Sequence, residues 1–248
     1  MQTYKLIALD MDGTLLNDTS EISSKNAAWI HKAREAGMIV CFSTGRGFQS
    51  ALPYAEQLQL DTPMITVNGG EIWHRPHVLY RRTYLNEGII GPLLKLAQEY
   101  DTWFWGYTVD KVYNRENWLE PGQSPDDLHW LKFGYDTKDD KAREEIVQEI
   151  SNWGGLEISN SSPTNLEINS GGISKASALQ ELCGLLNLNM SQVVAVGDSL
   201  NDIAAIREAG LGIAMGNAQD LVKQAADAIT VSNNEDGIAH VLEHIVKI

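Results

Sequence analysis

Two pairs of aspartates stand far apart in the sequence, each directly after a short apolar run. One is Asp10 and Asp12 in Asp10-Met11-Asp12-Gly13; the other is Asp198 and Asp202 in Gly197-Asp198-Ser199-Leu200-Asn201-Asp202. A carboxylate is a workable nucleophile for phosphoryl transfer, because an acyl phosphate splits one hard displacement into two easier ones. A second acid beside it can protonate the leaving oxygen and then activate water. Acids gathered this way need a cation to share their site, and hard oxygen ligands point to Mg²⁺. Asp198 would complete the cation's sphere, Asp202 would be a direct or supporting ligand, and Asn201 would orient a water or a phosphate oxygen. Plainer explanations stand beside these. D-x-D-G is common in solvated turns, and Asp198 or Ser199 would cap a following helix.

Ser43-Thr44-Gly45-Arg46 offers a hydroxyl and backbone N–H groups ahead of a helix, a combination suited to cradling phosphate. Many strand-to-helix turns look the same and bind nothing. Lys175 could neutralise a phosphoryl oxygen as charge builds in a transition state, although a lone lysine is more often a solvated charge. Its surroundings, Gly172-Ile173-Ser174-Lys175, lack the glycine directly before the lysine that a Walker loop requires. His74-Arg75-Pro76-His77 is expected to be a polar hairpin turn, with no further His or Cys nearby to make a metal site.

These groups need a scaffold. Short apolar runs at 6–9, 39–43, 64–67, 193–196, 211–214 and 228–231 are expected strands. Amphipathic stretches at 24–36, 48–58, 175–186, 201–209, 219–226 and 236–246 are expected helices. Alternation of this kind marks βα units around a parallel sheet. Residues 83–165 follow another pattern, with helices near 87–100 and 138–152 and paired strand-like stretches between and after them. Five of the seven tryptophans (Trp103, Trp105, Trp118, Trp130 and Trp153) fall there. Most are expected in a small core, with one or two free to line a substrate pocket.

Thirty-three acidic against nineteen basic residues give a net charge of −14, which argues against nucleic acid or an anionic membrane as a partner. A phosphorylated substrate must then be drawn in by local positive charge. No run is long and apolar enough to span a bilayer. No signal peptide is evident at the N-terminus, and two cysteines do not make a disulfide framework, so a cytoplasmic setting is expected.

Together, Asp10/Asp12, Thr44, Lys175 and Asp198/Asp202 resemble, in order and strand-end placement, the four motifs of the haloacid dehalogenase superfamily. Thr44-Gly45-Arg46, Val67-Asn68-Gly69-Gly70, Leu166-Glu167-Ile168, Ala214-Met215-Gly216-Asn217-Ala218 and Glu235-Asp236-Gly237-Ile238-Ala239 are similar to its Cof-type phosphatase branch. The resemblance implies an α/β fold, with a Rossmann-like parallel-sheet core at 1–82 and 166–248. An inserted α+β cap that selects the substrate would occupy 83–165. It implies Asp10 as nucleophile and Asp12 as general acid/base. Thr44, Gly45, Arg46, Lys175 and Asn201 would hold the phosphoryl group. Mg²⁺ would be held by Asp10, Asp198 and the backbone carbonyl of Asp12, with Asp202 in support. Ala176 departs from the glycine that commonly follows the lysine, and the middle of the insert is shorter than usual for the branch. The expected activity is hydrolysis of a small phosphorylated metabolite, a sugar phosphate, by a monomer or weak homodimer. A phosphotransferase or mutase is the alternative. A receiver-like signalling module is a further one, against which Asp12 argues, since a second acid promotes turnover of the phosphoenzyme.

Overall fold

The structure is a computed structural model and describes residues 4–248. In chain order the elements are β1 (Leu6–Leu9), α1 (Ser24–Glu35), β2 (Ile39–Ser43), α2 (Phe48–Gln57), β3 (Met64–Thr66), β4 (Glu71–Arg75) and β5 (Val78–Arg82). Then come α3 (Ile90–Glu99), β6 (Trp103–Thr108), β7 (Val112–Asn114), β8 (Trp130–Asp136), α4 (Asp140–Trp153), β9 (Leu156–Ser159) and β10 (Asn165–Ser170). The last group is α5 (Lys175–Leu185), β11 (Val193–Gly197), α6 (Ile203–Glu208), β12 (Leu211–Ala214), α7 (Asp220–Ala225), β13 (Ala228–Ile229) and α8 (Gly237–His240), which widens into a π-turn over Val241–Val246. They form two units, residues up to Arg81 with Lys175–Ile248, and Arg82–Ser174.

All four side chains of β1 are buried, as expected for a strand covered on both faces. Each such Leu or Ile is worth roughly 1.5–3 kcal/mol of burial. β1 pairs in parallel with β11 on one side, Leu9 opposite Val196, and with β2 on the other, Leu9 opposite Phe42. The larger unit's sheet runs β13-β12-β11-β1-β2-β3-β4-β5. Its last two strands form a hairpin that adds antiparallel to β3, and the expected turn at Pro76-His77 closes it, with His77 at φ 65°. Helix α1 begins where the Ser23 side chain accepts from the Asn26 amide, and Lys32 and Arg34 favour its C-terminal end. The Asn26 side-chain oxygen in turn accepts from the Ala239 amide at 2.9 Å, tying α1 to α8.

The smaller unit carries an antiparallel sheet in the order β7-β6-β8-β10-β9. Asp139 opens α4 by accepting from the Lys141 and Ala142 amides. Leu93 and Leu96 of α3 and Ile146 and Ile150 of α4 pack with Phe133, Tyr135, Leu166 and Ile168 of the sheet. Trp130 is buried in that core, with Trp118 stacked on it at 5.2 Å and Trp153 at its edge. The sheet also buries an ion pair, Lys132 Nζ to Glu167 Oε1 at 2.9 Å.

One expected boundary shifts. The resemblance places residues 166–174 in the larger domain, but Leu166, Glu167 and Ile168 pair with β8 and Glu167–Ser170 with β9. The break therefore falls at Lys175. Polar and apolar residues alternate along β10, the pattern of a strand with unlike faces, not of a parallel-sheet core strand.

Candidate active site

The larger sheet brings the two acidic segments together. The Asp10 amide donates to the Val196 carbonyl at 3.0 Å, so Asp10 leaves the sheet at the C-terminal end of β1, where β11 also ends. From β1 the chain builds β2 and β3 on one side and β11 and β12 on the other. Open α/β sheets bind ligands at such a switch point. Gly13 turns the chain at φ +75°, and a Cβ there would lie 2.6 Å from Asp198 Oδ2. That approach lets the Thr14 hydroxyl donate to Asp198 Oδ1 at 3.0 Å, while the Ser199 hydroxyl donates to Oδ2 at 3.0 Å.

Lys175, the first residue of α5, donates from Nζ to Asp10 Oδ1 at 2.6 Å and to Asp202 Oδ1 at 2.7 Å. Its side chain is fully buried. Asp202 Oδ2 accepts from the Asp198 and Ser199 amides at 3.1 and 3.2 Å. Capping and site-building thus coexist in one carboxylate, one oxygen for each. Asp10, Asp198 and Asp202 each offer an oxygen within 4.8 Å of the others.

Burial pushes the Asp10 carboxyl well above the usual carboxylate range; Lys175 opposes the rise, and Asp202 and Asp198 add to it. Asp198 is pushed up to about 6, by burial first and then by Asp202. Burial works to lower the Lys175 ammonium, but Asp10 and Asp202 outweigh it and hold it above its ordinary value. Three carboxylates around one ammonium leave unbalanced negative charge in a desolvated pocket. That hard-oxygen donor set fits a divalent cation such as Mg²⁺.

Asp12, only two residues from Asp10, is placed differently. Its side chain is 56% exposed and its carboxylate lies outside the three-acid cluster. Arg46 donates to it twice, from Nε at 2.7 Å and from Nη2 at 2.6 Å. Thr44 is buried beside β3, its amide donating to the Ile65 carbonyl, and its hydroxyl accepts from the Arg46 amide at 3.1 Å. With its guanidinium on Asp12 and its amide on Thr44, Arg46 is engaged inside the protein. Gly45 lies in the loop between them. Asn201 donates to Asn68 Oδ1 at 3.1 Å, and its own buried Oδ1 has no hydrogen-bond partner among the described residues.

Sequence reasoning gave no place in the site to Thr14, Asn68, Ser199 or Asn217, although Ser199 was read as a helix cap and Asn68 and Asn217 stand in the quoted motifs. Asn217 Nδ2 donates to the Gly13 carbonyl at 2.7 Å and fixes the turn. Asn68 had a signal: Asn is among the few residues that tolerate the left-handed region, and it sits at φ 56°. Its neighbour Val67, at φ 54°, is a true outlier for a β-branched residue. The pair is held by bonds from the Val67 amide to the Arg46 carbonyl and from the Asn68 amide to the Thr44 carbonyl.

Residues 7–242 match the family model of the haloacid dehalogenase-like hydrolases. A 5-amino-6-(5-phospho-D-ribitylamino)uracil phosphatase of Bacillus subtilis is 47% identical over 245 residues, 98% of this chain and 96% of the relative. Pyridoxal phosphate phosphatase of Escherichia coli is 30% identical, covering 98% of this chain and all of the relative. Among solved structures, a haloacid dehalogenase-like hydrolase from B. subtilis superposes with a TM-score of 0.89 at 26% identity, over 97% of this chain and 99% of that one. The chain belongs to the haloacid dehalogenase-like hydrolases.

Proposed function

We propose that this protein is a Mg²⁺-dependent phosphomonoesterase that removes the terminal phosphate of a ribityl chain carried on an aminopyrimidine, through an aspartyl-phosphate on Asp10. The observation that carries the chemistry is the Asp10 carboxylate, held by Lys175 at 2.6 Å beside Asp198 and Asp202 at the sheet's switch point. The substrate class is supported by the 47% identity, over nearly the whole chain, to a relative that bears this substrate in its name. A ribityl phosphate is an alditol ester, the reduced counterpart of the sugar phosphate that the sequence led us to expect.

Asp10 attacks phosphorus and the ester oxygen departs with a proton from Asp12. Water then attacks the acyl phosphate, Asp12 takes the water proton, and phosphate and free Asp10 result. The Thr44 hydroxyl accepts from the Arg46 amide, which leaves its own proton for a phosphoryl oxygen. The Lys175 ammonium keeps Asp10 aligned and balances charge as the phosphoryl group arrives. Asp10, Asp198 and the Asp12 carbonyl, with Asp202 in support, would hold Mg²⁺, which would neutralise the cluster and polarise the phosphoryl group.

The test is release of inorganic phosphate from 5-amino-6-(5-phospho-D-ribitylamino)uracil, with Mg²⁺ or with chelator, and with or without an acceptor sugar. Mg²⁺-dependent release that ignores the acceptor is expected. Turnover that persists in chelator, or phosphate appearing on the sugar, would overturn the metal or the hydrolysis assignment respectively.

A further inference from the structure

Two segments near the C-terminus, Ala214-Met215-Gly216-Asn217-Ala218 and the chain leading into Glu235-Asp236-Gly237, meet behind the turn that follows Asp10. They run backbone against backbone. The Gly216 amide donates to the Val231 carbonyl at 3.1 Å, and a Cβ on Gly216 would stand 2.9 Å from the Ser232 amide nitrogen. That approach sets Asn217 beside Asn233, whose amide donates to Asn217 Oδ1 at 2.9 Å.

From this joint the two side chains reach two points of one turn. Asn217 Nδ2 donates to the Gly13 carbonyl at 2.7 Å. Asn233 Nδ2 donates to the Leu16 carbonyl at 3.0 Å and to Asp18 Oδ1 at 3.2 Å, while Asn234 Nδ2 takes Asp18 Oδ2 at 2.9 Å. Asp12 and Leu16 pair as an isolated β-bridge, and the Thr14 and Leu16 amides both return to the Met11 carbonyl. The asparagines therefore hold the turn one residue after Asp12 and again at the residue bridged to it. Position 217 needs a donor and an acceptor on one short side chain, and asparagine has both.

Asn233 is buried, but the bond from Asn217 to Gly13 is exposed. A hydrogen bond open to water adds little net stability. What it supplies here is direction, since a misplacement of about 1 Å can cost a catalytic group on the order of 10²-fold in rate.

We propose that Asn217 and Asn233 form a two-point clamp that aims Asp12 for proton transfer, acting as positioning residues through the backbone of the turn. Arg46 orients the Asp12 carboxylate, and the clamp orients the chain that carries it. The proposal rests on the role given to Asp12 above.

The experiment compares single-turnover rates for two esters. 5-Amino-6-(5-phospho-D-ribitylamino)uracil has an alkoxide leaving group that needs the Asp12 proton, and p-nitrophenyl phosphate does not need it. Asn217→Asp keeps the acceptor for Asn233 and loses the donor to Gly13; Asn217→Leu loses both without adding charge. Each should lower the ratio of the ribityl to the nitrophenyl rate by about tenfold, a part of what general acid–base catalysis supplies, with a thermal melt close to that of wild type. An equal loss on both esters, as a general structural defect would give, or no loss, overturns the proposal.

Hydrogen exchange of the peptide from Asp10 to Asp18 reads the clamp without turnover. It should quicken by about fivefold in both Asn217 variants and in Asn233→Ala, the equivalent of one hydrogen bond. Exchange at the wild-type rate in the Asn217 variants overturns the clamp. If wild type leaves the ribityl ester intact, the phosphatase reading fails by itself, and this exchange alone decides whether the clamp exists.

Discussion

Arg46 grips Asp12 with two parallel hydrogen bonds, Nε to Oδ2 at 2.7 Å and Nη2 to Oδ1 at 2.6 Å. This fork-on-carboxylate geometry fixes direction as well as distance. It gives the acid assigned to proton transfer a neighbour that sets where its oxygens lie. Arg46→Met should lower kcat for an alkyl phosphate by about tenfold, a part of the 10²–10⁴ typical of general acid–base catalysis. p-Nitrophenyl phosphate, whose leaving group needs no proton, should be less affected in the phosphorylation step. The ratio of the two rates under single-turnover conditions is the measurement.

Asp12→Asn should separate the half-reactions. Phosphorylation of Asp10 by p-nitrophenyl phosphate should survive in part, whereas hydrolysis of the acyl phosphate loses its base. Phosphoenzyme should therefore accumulate, visible in the intact mass of acid-quenched protein. Asp10→Asn should show no such adduct and no turnover while melting as a folded protein.

Lys175→Met should destabilise strongly. The substitution leaves Asp10 and Asp202 buried without their shared counter-charge, and breaking a buried pair in this way costs about 3–5 kcal/mol. Urea unfolding at pH 7 should show the loss, and added Mg²⁺ or a lower pH should reduce it. A midpoint like that of wild type at pH 7 would contradict the charge balance described for the site.

The raised Asp198 carboxyl predicts a pH signature. Folded Asp198 titrates at about 6, above the roughly 3.9 of an unfolded aspartate. Between those values the folded state binds more protons than the unfolded one, so this group's contribution to stability falls as pH rises. Asp10 shifts in the same direction. In chelator, Asp198→Asn should therefore gain on wild type from pH 4 to pH 7, by about 2–3 kcal/mol. With Mg²⁺ at pH 7 the order should reverse, because the variant loses a ligand. Paired melts across pH, with and without Mg²⁺, read both effects.

Much of this was legible in the sequence, and the rest was hidden for definite reasons. Apolar runs ending in acid located β1, β11, Asp10 and Asp198, because a strand buried on both faces leaves only its end for polar chemistry. Lys175 was legible through its motif, but its embrace of Asp10 and Asp202 is a tertiary fact. The separate roles of Asp10 and Asp12 were legible only through the resemblance; that the Asp12 carboxylate lies outside the cluster, paired with Arg46, depends on tertiary contacts. The place of β10 did have a signal, its polar–apolar alternation, but the boundary implied by the resemblance set it in the larger domain. The β4–β5 hairpin was expected as a turn only; its strands mix Trp, Tyr and Leu with His and Arg and lack a clean alternation.

The pairing of β1 with β11 also bears on how the protein comes into being. Thr14 and Asp198 touch across 184 positions of sequence, so the innermost strand of the large sheet waits for a neighbour that leaves the ribosome far later. Until then one edge of a wholly apolar strand is without its partner, a hazard for intermolecular pairing. Contacts of such long range also slow folding. Catalytic competence should thus be the last property the nascent protein acquires, and its early half should be a natural client for chaperones.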